Sequence, residues 1–241
     1  MAQLAVRDVT VRFGGNIALD GVDLDADPGQ VTGLIGPNGA GKTTLFNVIT
    51  GLIPANSGSV RLNGEHLNDL SPTKRARRGL ARTFQRLELF SLLSVRENIR
   101  VAADIRKGWA RDGSDPAAVT EAIIDRIGLR DVADARVDSL PTGRCRLVEL
   151  GRSLATRPTV LLLDEPASGQ DENETLQFGA LLQELADEGI AVVLVEHDVH
   201  LVMRVCHKVH VLDFGRIIAV GDPGQIQTNP AVVAAYLGTP V

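Results

Sequence analysis

Residues 36 to 44 read Gly36-Pro37-Asn38-Gly39-Ala40-Gly41-Lys42-Thr43-Thr44, with glycine, lysine and hydroxyl at the spacing G-x-x-x-x-G-K-[ST]. Such a run suits the phosphates of a nucleoside triphosphate. Glycine lets successive backbone N–H groups turn toward an anion, and the start of a following helix adds partial positive charge. Lys42 supplies a full charge for the β- and γ-phosphates, and the Thr43 hydroxyl suits Mg²⁺. A merely structural glycine turn would need neither Lys42 nor Thr43. A second run, Leu161-Leu162-Leu163-Asp164-Glu165-Pro166, delivers two carboxylates at the end of an apolar strand. At the carboxyl edge of an open α/β sheet Asp164 is placed to hold Mg²⁺, and Glu165 to polarise an attacking water. Alone, an acidic pair after a strand is a helix cap or a solvated turn. Its pairing with the phosphate loop favours chemistry.

These residues need elements to hold them. Val31 to Ile35 reads as a buried strand feeding the loop, and Leu45 to Ile49 as a helix that Gly51 ends. Before them, Leu4, Val6, Val9 and Val11 alternate with polar positions, and Ala18 to Leu24 repeats the pattern after a Gly14-Gly15 turn. A strand around Val60 to Leu62 closes on Asn63-Gly64, a helix follows from Ser71 to Leu80, and a short strand ends at Phe84-Gln85. From Leu92 to Leu140 strand signals vanish. Helical periodicity covers Val95 to Ile105 and Ala117 to Ile127, separated by a polar, turn-rich linker from Gly108 to Pro116. A helix over Gly143 to Thr156, the strand Val160 to Leu163, a helix over Glu172 to Glu188 and the strand Ile190 to Val195 come next. Short strands near 209–212 and 217–220 and terminal helices complete the chain. The expected fold is α/β: a P-loop NTPase with a mainly parallel sheet, N-terminal antiparallel strands and an inserted α-helical subdomain.

Composition bounds the partners. With 241 residues the chain is long enough for a sizeable core without disulfides or metals. Its net charge of −5 argues against nucleic acid as the main partner. The one dense basic cluster, Lys74-Arg75-Ala76-Arg77-Arg78, reads first as a solvated helix face and second as a contact for anionic lipid or an acidic partner. Cys145 and Cys206 lack metal-ligand spacing and suit reduced thiols in the cytosol. The N-terminus carries no apolar signal core, and no apolar run reaches the ~18 residues that span a bilayer. A membrane role is therefore expected only through a partner.

Taken together, the phosphate loop and the acidic strand end make the chain resemble, from end to end, the ATP-binding subunit of an ABC transporter. The resemblance implies a single ABC ATPase domain over 1–241. Residues 1–87 and 157–241 would form a RecA-like core with antiparallel strands, and 88–156 the helical subdomain. It implies ATP and Mg²⁺ as ligands. The family stacks adenine on an aromatic near the N-terminus, where Phe13 stands, although Phe13 also reads as a core residue. The family's sensor glutamine, which reaches metal and water, matches Gln85 in Arg82-Thr83-Phe84-Gln85. Its switch histidine, which contacts the γ-phosphate, matches His197 in Val195-Glu196-His197-Asp198, and its cross-dimer aspartate loop matches Ser168-Gly169-Gln170-Asp171.

One motif departs from the family. Where L-S-G-G-Q normally precedes a helix and caps the ATP of the other subunit, this chain has Leu140-Pro141-Thr142-Gly143-Arg144. Gly143 is kept, Pro141 replaces the serine and Arg144 the glutamine; Thr142 carries the nearest hydroxyl. Backbone N–H groups and the helix dipole are still expected to face a γ-phosphate. A narrower resemblance is to branched-chain amino acid importers. It rests on Gly79-Leu80-Ala81-Arg82-Thr83-Phe84-Gln85 and on the ending from Val211-Leu212-Asp213-Phe214-Gly215-Arg216 to Ala235-Tyr236-Leu237-Gly238. The expectation is thus a cytoplasmic importer motor, peripheral on the inner face of the cell membrane. Its partners would be membrane-spanning permease subunits, docked around Leu87 to Asn98, and a second ATP-binding subunit in a heterodimer. The alternatives are an importer of urea or short amides, a lipopolysaccharide-type exporter motor and a non-hydrolysing nucleotide-dependent switch. A chromosome-maintenance ATPase would need long heptad helices between the phosphate motifs, and there are none.

Overall fold

The alternating N-terminal segment forms two long antiparallel strands, β1 (Leu4–Phe13) and β2 (Asn16–Ala26), in a computed structural model that describes residues 2–237. The end of the carboxy-terminal motif, Gly238, lies outside the described residues. β3 (Val31–Ile35), buried throughout, leads into the phosphate loop and α1 (Lys42–Thr50). Next come β4 (Ser57–Leu62), β5 (Glu65–His66), α2 (Pro72–Arg77) and β6 (Leu80–Arg82). Both α2 and β6 stop earlier than the sequence pattern suggests. Leu80 pairs with Val160 in a neighbouring strand, and that tertiary pairing draws the chain out of the helix.

Three helices then intervene: α3 (Val95–Ala110), α4 (Pro116–Arg126) and α5 (Thr142–Ala155). α3 runs past the expected end, where the Arg106 guanidinium lies 5.8 Å from the Trp109 ring centroid. The remainder is β7 (Val160–Asp164), α6 (Glu172–Asp187), β8 (Ala191–Val195), α7 (Val199–Val205), β9 (Lys208–Asp213), β10 (Arg216–Gly221), α8 (Pro223–Gln227) and α9 (Pro230–Leu237).

Two sheets result. β2-β1-β4-β5 is antiparallel; β10-β9-β3-β8-β7-β6 is parallel apart from β10. β7 shows how the sequence divides the cores, since its residues alternate between faces. Leu161 and Leu163 join Ile99, Ile124, Val148 and Phe178 in a core that runs into the insertion. Val160 and Leu162 join Leu4, Val6, Leu45 and Phe46 between the sheets. Burying a side chain such as Phe46 contributes about 1.5–3 kcal/mol, and this packing anchors α1 beneath the loop. Parallel strands of this order put the ends of β3, β6, β7 and β8 on one edge, where the polar residues gather. Among the described residues no helix is long and apolar enough to cross a membrane.

Candidate active site

The phosphate loop keeps its shape because two of its glycines admit no side chain. Gly36 has φ 155°, and a Cβ there would lie 1.9 Å from the Leu212 carbonyl oxygen; at Gly41, φ 113°, it would lie 2.7 Å from that of Ala18. α1 starts immediately afterwards with no side chain capping its first N–H groups. Those donors point where an anion would sit. Lys42 is 7% exposed, and its Nζ donates to the carbonyl oxygens of Gly36 (2.6 Å) and Pro37 (3.0 Å). Burial lowers its pKa, while the carboxylates of Glu165 and Asp164 push it back up.

A cavity of about 320 Å³ opens over the loop, lined by Asn38 to Thr44 and by Gln85, Asp164, Glu165, Val195 and His197. Five of the polar residues singled out in the sequence thus meet: Lys42 and Thr43 from the loop and first turn, Asp164 from the end of β7, and Glu165 and His197 from beyond β7 and β8. Gln85 joins them from the segment after β6. Glu165 adopts φ 51°, a left-handed conformation that turns the chain sharply off the strand. Its N–H donates to the Val195 carbonyl at 2.9 Å. Its carboxylate accepts from Gln85 Nε2, 3.2 Å from both oxygens, and meets His197 Nε2 at 2.8 Å. Asp164, 2% exposed, pairs with Arg82 Nη2 at 3.0 Å, and its N–H donates to Thr83 Oγ1 at 3.2 Å.

Supporting residues complete the site, and sequence reasoning gave them no role of their own. Glu196, 6% exposed, accepts from the N–H groups of Ala167 (2.8 Å) and His197 (3.1 Å), so one carboxylate ties the turn after β7 to the switch position. Burial raises its pKa and these N–H donors oppose the rise. Arg146 of α5 donates to the carbonyls of Phe84 and Gln85, and the partly offset buried acid Glu149 accepts from the Glu88 N–H at 3.0 Å. The available signal was a charge beside a buried strand, as at Arg82 and Glu196, or charges three apart on an otherwise apolar helix face, as at Arg146 and Glu149.

Other expected site residues lie apart. Pro141 is the N-cap of α5, and Thr142 and Gly143 form its first turn against Gly169 and Gln170. None of them lines the cavity. Arg144 turns away to pair with Asp131. Asp171 caps α6, its Oδ1 accepting from the Glu174 N–H at 2.8 Å. Phe13 is 54% exposed at the end of β1, which removes its reading as a core residue, and it too lies outside the cavity lining. A separate groove of about 360 Å³ runs between Leu80–Phe84, Leu52 and the α3–α5 face at Ala102, Ile105 and Arg152. Of the segment Leu87 to Asn98 only Glu88 reaches it.

A glycine cradle under uncapped helix N–H groups, with a buried lysine and a carboxylate edge, fits a nucleoside triphosphate with a divalent cation, and defines a P-loop ATPase. The chain belongs to the ABC transporter family, as an ATP-binding and ATP-hydrolysing subunit: residues 19–168 match that family, and residues 216–241 match the family described as branched-chain amino acid ATP-binding cassette transporter. It is similar to the high-affinity branched-chain amino acid transport ATP-binding protein BraF of Pseudomonas aeruginosa, at 40% identity over 98% of this chain and 97% of the relative. Its counterpart LivG of Escherichia coli (strain K12) is 38% identical over the same shares. A solved nucleotide-free ATP-binding cassette from an ABC transporter superposes with a TM-score of 0.88 at 29% identity, covering 99% of this chain and all of the other.

Proposed function

We propose that this chain is the motor subunit of a branched-chain amino acid importer. It works as half of a two-chain ATPase at the inner face of the cell membrane, docked on membrane-spanning permease subunits. One observation carries the reading: Lys42, Gln85, Asp164, Glu165 and His197 line a single cavity while Pro141 to Gly143 do not. One chain therefore presents a loop and a base, and its α5 N-terminus is free to cap the nucleotide held by another chain.

In this reading the N–H groups of Gly39 to Thr44 and the Lys42 ammonium bind the phosphates, and the exposed ring of Phe13 stacks on adenine. The Thr43 hydroxyl, Asp164 and Gln85 would hold Mg²⁺, whose charge would neutralise that developing on the phosphates. Glu165 accepts the proton of the attacking water. Gln85 and His197, both already hydrogen-bonded to that carboxylate, keep it aimed and are positioned to reach water and the γ-phosphate. Asp171, at the head of α6, contacts the partner across the dimer. The permease docks in the groove beside α3, whose rim exposes Leu52, Phe84 and Ile105. The C-terminal family match and the full-length likeness to BraF and LivG support the substrate class.

The test separates binding from chemistry. Glu165→Gln keeps the side chain's size and hydrogen bonds but removes the base. The expected result is retained ATP binding, ATP-dependent dimers on a sizing column and phosphate release reduced at least about a hundredfold, within the usual range for general-base loss. Full turnover in this variant would assign the base elsewhere. Isolation of the intact complex from membranes, with uptake measured for leucine and for urea, decides the solute; uptake of urea alone would overturn the substrate class.

A further inference from the structure

We propose that Arg82 is the positioning residue for the cation-binding carboxylate: it locks Asp164 so that one oxygen stays free for the divalent ion. The inference rests on the reading of Asp164 as a cation ligand.

Arg82 and Asp164 end neighbouring parallel strands, β6 and β7, and their side chains are 5% and 2% exposed. Both terminal nitrogens of the guanidinium are committed, while its buried Nε has no partner among the described residues. Nη2 meets Asp164 Oδ2 at 3.0 Å, and Nη1 meets Asn47 Oδ1 of α1 at 2.7 Å. The guanidinium carbon also lies over two aromatic rings, 5.3 Å from the Phe46 centroid and 4.8 Å from that of Phe84. A planar fork held at two nitrogens, with two aromatic rings beside it, leaves its partner little rotation, which a flexible ammonium would not achieve. Only one oxygen of Asp164 is taken. The other belongs to a residue that lines the cavity beside Thr43 and Glu165.

Removing the guanidinium changes more than one hydrogen bond. Asp164 would become a buried carboxylate without its partner, a costly state. The nearest remaining cation in the cavity is Lys42, whose charge already feels Asp164. The carboxylate would turn toward that ammonium and away from the ion, while the lysine keeps its bonds to the Gly36 and Pro37 carbonyls. Metal ligands held by outer partners commonly lose about 10–100-fold in metal affinity when the partner is removed.

The experiment uses the purified chain and a fluorescent ATP analogue, titrated in EDTA and across a Mg²⁺ series, with Mn²⁺ binding followed by electron paramagnetic resonance. Arg82→Met is expected to leave the affinity in EDTA within about threefold while raising the half-saturating Mg²⁺ and Mn²⁺ by about tenfold or more. Arg82→Lys should fall between, because one ammonium cannot serve Asn47 and Asp164 together. Unchanged or tighter cation binding in Arg82→Met, with Asp164→Asn impaired, overturns the positioning role alone. Unchanged cation binding in Asp164→Asn overturns the reading beneath it. Should Arg82→Met fail to fold by circular dichroism, Asn47→Ala releases one arm and keeps the charge. A measurable rise in half-saturating Mg²⁺ is then expected, and no rise overturns the proposal.

Discussion

In the proposed function, Lys42 is the residue on which nucleotide affinity turns. It is buried with its ammonium already bonded to the loop's own carbonyls, so the cost of burial is met before any phosphate arrives. Lys42→Ala deletes the charge and leaves the Gly36 and Pro37 carbonyls facing the phosphates. Fluorescent-nucleotide titration should then show affinity lower by about a hundredfold or more, the scale of a lost buried charge-assisted contact. His210 of β9 offers a different test. It is 5% exposed, neither ring nitrogen has a partner among the described residues, and its pKa falls from 6.5 to about 4. Burial is the main cause, Lys208 adds to it and Asp25 opposes it. With the folded value below the unfolded one, the unfolded chain binds the extra proton inside that window. Stability present above about pH 6.5 is lost as pH falls and is gone below about pH 4, a change of roughly 3 kcal/mol. Urea unfolding of wild type and His210→Leu at the two ends of the window should show the wild type losing that much more.

At the level of elements, the inserted helices close on a glycine. A Cβ at Gly151 of α5 would lie 2.9 Å from Ile127 Cδ1, 3.0 Å from Ile99 Cδ1 and 3.2 Å from Ile123 Cγ2, so α5 approaches α3 and α4 closely there. Gly151→Val should overpack this seam at a cost of about 2 kcal/mol, read as a lower urea midpoint. α3 is also set by its cap. Ser94 Oγ accepts from the Glu97 N–H at 3.1 Å and the Glu97 carboxylate accepts from the Ser94 N–H at 2.8 Å. Ser94→Ala should cost about 1 kcal/mol in the same assay. Starts of this kind, Ser94 with Glu97 and Asp171 with Glu174, are local chemistry and legible in the sequence. The end of α2 was not, because a strand partner at Val160 decides it.

For the molecule as a whole, the placement of α5 matters most. Its N-terminus stands outside the nucleotide cavity and is capped by Pro141, which offers neither a hydroxyl nor a backbone N–H. If two chains cap one another's nucleotides, the nucleotide facing Pro141 lacks a donor, a loss worth on the order of a hundredfold in rate. A homodimer would lose it twice and a heterodimer once. The isolated chain should therefore hydrolyse ATP weakly, and Pro141→Ser should raise its rate. Brisk hydrolysis by the wild type, unaltered by the substitution, would show that Thr142 or the backbone suffices and would remove the case for an asymmetric pair.

The sequence by itself determined the phosphate loop, the acidic strand end and the α/β alternation, since each follows from residue types at short range: glycines where side chains cannot fit, apolar runs that must be buried, and caps that end on their own neighbours. The matches of Gln85 and His197 to family positions were also legible, but only as points on a line. Tertiary structure decided that both side chains bond to Glu165, that Arg82 joins its own strand to Asp164 on the neighbouring strand and to Asn47 on α1, and that Pro141 stays away. Those contacts join residues 32 to 82 positions apart. They arise only when the parallel strands stack their ends on one edge, a long-range outcome of burial that no local pattern encodes.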